Sequence, residues 1–158
     1  MSTYTPEDLK AIVEAPMLTG LAVAMVDVGL VSTAIEATAL SRAIAGAAKK
    51  YPNNSIIQAA FSKEALSNSQ VKPERPEVTP EEAQSGALVD RAIAQADSTI
   101  NQLSSKAPET DLSQYKQFIY DCGAAVAEAA GSGLFGSGNK VSAKEAAALA
   151  KIKAGLGL

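Results

Sequence analysis

Four helix starts are written into this chain almost explicitly, and they restrict it to a helical fold before composition is considered. "TPED" (Thr5 to Asp8) and "TPEE" (Thr79 to Glu82) each offer a Thr N-cap, a Pro at the first helical position and acidic side chains in the first turn. "TAIE" (Thr33 to Glu36) and "SAKE" (Ser142 to Glu145) read as capping boxes: the hydroxyl accepts the third residue's N–H and the Glu reaches back to the cap. Apolar residues then follow at helical spacing. Val89, Ile93, Ala96, Ile100 and Leu103 form one seam, and Tyr115, Phe118, Ile119, Cys122, Val126 and Ala129 a second. A third runs through Ile35, Leu40, Ile44 and Ala47 or Ala48. No stretch alternates at period two for long enough to argue a sheet. The expected fold is an all-α, single-domain bundle of about seven helices.

Composition agrees. The 158 residues suit one domain, and 47% are hydrophobic while only 4% are aromatic, so Ala, Leu, Ile and Val must build the core and helices must approach closely. Pro16 is expected to separate a short first helix from an apolar one over 17–28, and "YPNN" at Tyr51 to Asn54 to end the helix that follows. The polar, Pro-rich segment 67–78 reads as a linker between halves spanning roughly 5–66 and 79–158. Those halves are related: "GLAVA" (Gly20 to Ala24) recurs as "GAAVA" (Gly123 to Ala127), and "EATALSRAIAG" (Glu36 to Gly46) as "EAAALAKIKAG" (Glu145 to Gly155). Between the matched blocks the second copy is six residues longer, the excess falling in a glycine-rich loop. An internal pseudo-two-fold repeat follows.

Several functions are disfavoured. The net charge is -3, with no basic cluster beyond Lys49 and Lys50, so no nucleic-acid partner is expected. Histidine is absent, which removes Ser-His-Asp and Cys-His catalysis and the commonest transition-metal ligand. The single cysteine, Cys122, allows no internal disulfide, fits a reducing compartment, and reads as a small hydrophobe on a helix. Met17 and Met25 read as core, and the small residues of the two repeated blocks as a close-packing face or a homodimer seam. The run 15–35 is the most membrane-like, but Asp27 in its middle would cost roughly 3 kcal/mol at a bilayer centre. No stable membrane insertion is expected, no signal peptide is read at the N-terminus, and the protein is placed in the cytoplasm.

Two loops invite chemistry. "GSGLFGSGNK" (131–140) contains a G-x-G-x-x-G pattern and nearly a P-loop, yet both motifs need a strand to feed the loop, and here a helix does. It reads as a connector. The tighter "DVGLVS" places Asp27 at the end of one helix and Glu36 in the first turn of the next, an oxygen-ligand set suited to a hard divalent cation such as Ca2+ or Mg2+. The competing reading leaves Glu36 in its capping box and Asp27 on a turn. Asp121 and Glu128, seven apart, read as solvated acids of one helical face.

Two tandem helix-loop-helix units, each with A-V-A before a turn, then a Ser or Thr cap, a Glu and a helix ending near Gly, resemble the TerB-like tellurite-resistance family over residues 16–48 and 112–158. The resemblance implies a pseudo-symmetric all-α bundle, a role in stress responses and acidic loop residues that hold metal: Asp27 and Glu36 in the first half, Glu145 in the second. The family's adjacent Asp-Gly is here Asp27, Val28, Gly29, and the second half has Ala130 before Gly131, so one site at most is implied. The resulting expectation is a non-enzymatic binding or scaffold protein with a protein partner or a homodimer. A structural homodimer without a ligand is the alternative.

Overall fold

The computed structural model describes residues 3–26, 33–68, 77–79, 81–82, 86–131 and 142–158, with backbone alone at 33–37 and 130–131. Among the described residues every regular element is a helix: α1 (Pro6–Val26), α2 (Thr33–Lys50), α3 (Ser55–Phe61), α4 (Lys63–Ser67), α5 (Ala87–Leu103), α6 (Glu109–Gly131) and α7 (Ala143–Leu156).

The starts fall where the side chains direct. Thr5 Oγ1 accepts the Asp8 N–H at 3.2 Å and Asp8 Oδ2 accepts the Thr5 N–H at 2.8 Å, closing a reciprocal cap at the head of α1. Thr79 and Glu82 make the same pair of bonds at 3.3 and 3.1 Å, although α5 itself begins further on, at Ala87 behind Gly86 and without a side-chain cap; Ser142 and Glu145 form the capping box of α7. Pro80 and the side chains of Thr33 and Glu36 lie outside the described residues, so the expected Thr33–Glu36 box does too. Asn54 ends the "YPNN" turn by capping α3, its Oδ1 accepting the Ile57 N–H at 3.0 Å.

Pro16 does not divide the first helix as expected. α1 runs through it from Pro6 to Val26. A Pro inside a helix cannot donate to the carbonyl four residues back, here that of Ile12, and its ring pushes that carbonyl aside. The Tyr115 hydroxyl on α6 donates to this same oxygen at 2.8 Å. The group orphaned by Pro16 is therefore satisfied from a neighbouring helix, which lets the helix continue.

α1 and α6 form the centre. Tyr115 meets Ile12, and Gly123 lies against Thr19 and Val23, so the two helices run side by side in the same direction. Consequently Val26 and Gly131 emerge at the same end. α2 leads away from that end: Leu40 rests on Gly20, and Asn54, just beyond α2, is bound to Asp111 and Gln114 near the start of α6. α5 packs on α1, and α7 lies across α5, α6 and α1. Phe118 gathers Tyr51, Phe61 and Tyr115 at centroid distances of 6.4, 5.4 and 6.5 Å, fixing α2 and α3 to α6.

The seams fall in the core, with Val89, Ala96, Ile100 and Leu103 of α5 and Tyr115, Phe118, Ile119, Cys122 and Val126 of α6 all buried. Ile93, Leu40 and Ile44 are half-buried against it, as are Met17 and Met25. α1 is long and apolar enough to cross a membrane, but just over half of its most apolar stretch is buried inside this bundle. Its glycine does internal packing: a Cβ at Gly20 would stand 2.6 Å from Leu40 Cδ1, and one at Gly123 would stand 3.3 Å from Leu149 Cδ2.

Candidate functional site

The expected site belongs to the end where α1 and α6 terminate and α2 begins. Asp27 lies outside the described residues, and Glu36 occupies the first turn of α2 with its side chain likewise outside them. Glu145 is described, and it is buried: its Oε2 accepts the Ser142 N–H at 3.0 Å while its own N–H donates to Ser142 Oγ at 3.2 Å. That oxygen is thereby engaged at the head of α7. Among the described residues no three Asp, Glu or Cys side chains converge as a metal would require. The loop 132–141, including Lys140, also lies outside the described residues.

Several of the described acids instead make contacts between helices, and three of these groups lie beyond what sequence spacing could assemble. In the first, Asp8 is fully buried, accepting from Gln102 Nε2 at 2.6 Å and from Lys106 Nζ at 2.5 Å besides its bond to Thr5. Burial pushes this carboxyl up, but the Lys106 ammonium, the Thr5 N–H, the Gln102 amide and the Thr5 hydroxyl together outweigh it and hold the group at about 2. The charged form is therefore the one the fold favours. Stability from this group is fully present above the unfolded carboxyl value of about 4 and is lost as pH falls toward 2. Asp8 is buried but the Lys106 side chain is about a third exposed, so solvent screens the pair from one side and a contribution of roughly 1–2 kcal/mol is expected. Urea unfolding at pH 5 and at pH 2 should show the gap between wild type and Asp8→Asn shrinking by that amount. A gap independent of pH would remove the carboxylate charge as its source.

In the second group Asp111, at the start of α6, accepts the Ser55 N–H at 2.8 Å and the Ser55 hydroxyl at 2.6 Å, and Ser55 Oγ lies 2.9 Å from the Tyr4 hydroxyl. Buried Asn54 adds bonds to the Asp111 carbonyl at 2.9 Å and to Gln114 Oε1 at 3.1 Å. A Ser–Asp contact of this kind resembles part of a catalytic triad, but without histidine nothing relays the proton, and the serine oxygen is already held on two sides.

The third group corrects the reading of Asp121 as a solvated acid. Its Oδ2 meets Lys50 Nζ at 2.7 Å and the Tyr51 hydroxyl at 3.4 Å, and its Oδ1 accepts from Gln117 Nε2 at 2.8 Å, joining the end of α2 to the middle of α6. Glu128, by contrast, is exposed. The bond to Asp121 raises the Lys50 ammonium above its ordinary value despite partial burial. Beneath this surface Cys122 is fully buried, and burial, with the Asp121 charge adding to it, pushes the thiol well above its ordinary value. It is a packing residue and not a nucleophile at neutral pH.

Comparison of the chain with protein-family models, with curated proteins and with solved structures finds no match.

Proposed function

We propose that this chain is a non-enzymatic binding or scaffold module of the cytoplasm, a pseudo-two-fold helical bundle of TerB-like kind, taking a divalent cation at the connection between α1 and α2. The observation that supports the non-enzymatic part is the engagement in the fold of four acids and the thiol among the described residues. Asp8, Asp111, Asp121 and Glu145 each hold helices or helix heads together, and the one thiol is sealed in the core. A site of catalysis needs such groups poised toward a substrate.

The repeat has support in packing. Gly20 and Gly123 occupy the same place in the two sequence copies, as do Leu40 and Leu149, and in each half the glycine faces the leucine of its own half. Close approach of the first helix to the second is thus achieved twice by the same pair.

The cation is proposed on Asp27 and Glu36, since Glu145 Oε2 is held by its cap. Hard oxygen donors in a short connection suit Ca2+ or Mg2+. Calorimetric titration of chelator-treated protein with each cation, beside Asp27→Asn, is the test. Saturable one-to-one heat that disappears in the variant is expected; absence of heat from either cation would leave Asp27 and Glu36 without that role.

A further inference from the structure

α7 shows in this molecule how the second helix of a repeat receives another helix. Gly155 has no side chain and Ile93 of α5 sits in the space, its Cγ2 only 2.6 Å from where a Cβ would stand. One turn earlier Lys151 Nζ pairs with Asp90 Oδ1 at 2.5 Å, and Ile152 between them is buried. The partner supplies an acid and, three residues on, a β-branched aliphatic side chain, which is one helical face.

α2 carries the same determinants at the equivalent places. Arg42 stands for Lys151, Ala43 for Ile152 and Gly46 for Gly155. Here no described residue fills the space: Gly46 is exposed with no atom of the described residues within 4 Å of its would-be Cβ, Arg42 is exposed, and Ala43 is only half-buried. Gly46 is also costly in the middle of a helix, and among the described residues nothing packs on it.

We infer that the outer face of α2, at Arg42, Ala43 and Gly46, docks an α-helix of a different protein, one presenting an acidic residue and, three positions later, a β-branched aliphatic residue. The chemistry is taken from the way α5 lies on α7. A second copy of α2 is a poorer occupant, because Arg42 and Lys49 on the two copies would repel. The inference rests on the repeat and on the binding-module reading, and adds to them the partner's chemistry.

The probe is a fluorescently labelled peptide of residues 87–103, which carries Asp90 and Ile93, titrated with the full chain in chelator and followed by anisotropy. Saturable binding at one site is expected, weakened at least about tenfold by Gly46→Leu and by Arg42→Glu. A peptide with Asp90→Lys should lose binding to wild type and regain it with Arg42→Glu. Since Gly46 faces open space, the Gly46→Leu chain should keep its helical circular dichroism; Arg42→Glu, a surface change, provides the same test independently. Binding unaltered by either substitution would place the peptide elsewhere, for instance on α7 in place of α5, and would overturn the inference. So would absence of saturation, or self-association in sedimentation that Gly46→Leu abolishes. Because cation heat is measured separately, failure here with the Asp27-dependent heat intact would remove the docking face alone.

Discussion

Tyr115→Phe should destabilise the protein by roughly 1–3 kcal/mol, and most of that loss should vanish when Pro16 is also replaced by Ala. The Ile12 carbonyl lies in the core, four residues before a proline that has no N–H to give it, and the Tyr115 hydroxyl is its partner at 2.8 Å. Removing the hydroxyl strands a buried acceptor, which costs its full desolvation. With Ala at position 16 an N–H becomes available to the same carbonyl, and the tyrosine oxygen becomes dispensable. Urea unfolding of the two single variants and the double variant gives the coupling directly. A coupling of about 1 kcal/mol or more is expected, whereas additivity within roughly 0.5 kcal/mol would show that the hydroxyl and the proline act independently. Pro16→Ala also removes buried ring atoms, so the coupling and not the single variant carries the test.

This pair shows where sequence reading succeeds and stops. The heads of α1 and α7 were legible because a cap and its partner stand three residues apart, and the faces of α5 and α6 because helical period is a local property. Pro16 reads as a boundary in the sequence because the group that permits its helix to continue lies 99 positions away, in Tyr115. Asp8 looked like an ordinary first-turn acid, while its burial depends on Gln102 and Lys106, 94 and 98 residues distant. Asp121 looked solvated for the same reason, its partner Lys50 arriving only when α2 folds onto α6. Pairings of this range are properties of the assembled bundle, and no spacing rule carries them. The residues singled out for a metal are a different case: their types suit a hard cation, but Asp27 and the Glu36 side chain stand outside the described residues, and Glu145 is engaged in the cap that its motif announces.

Gly155 and Gly46, which the proposed repeat would match, should respond to substitution with opposite sign. At Gly155 a Leu side chain would have to occupy space held by Ile93, whose Cγ2 is fixed to a branched Cβ and cannot swing aside cheaply. α5 would be forced from α7, straining the Lys151–Asp90 pair and the burial of Ile152, and a loss of roughly 2–3 kcal/mol is expected after the gain in helix propensity is set against it. At Gly46 an added Cβ meets no described residue within 4 Å, so Gly46→Ala should stabilise by about 0.5–1 kcal/mol, the helix-propensity difference alone. Ile93→Ala should relieve Gly155→Leu, giving a double variant less destabilised than the two singles together imply. Chemical unfolding of this set decides the matter: if Gly155→Leu were as benign as a substitution at Gly46, α5 would not be seated on α7 through this contact. The asymmetry also bears on α2, because a helix-weakening glycine with no described residue packed on it adds nothing to the stability of that helix. The close seat of Ile93 on Gly155 shows the kind of side chain that a helix glycine of this sort admits.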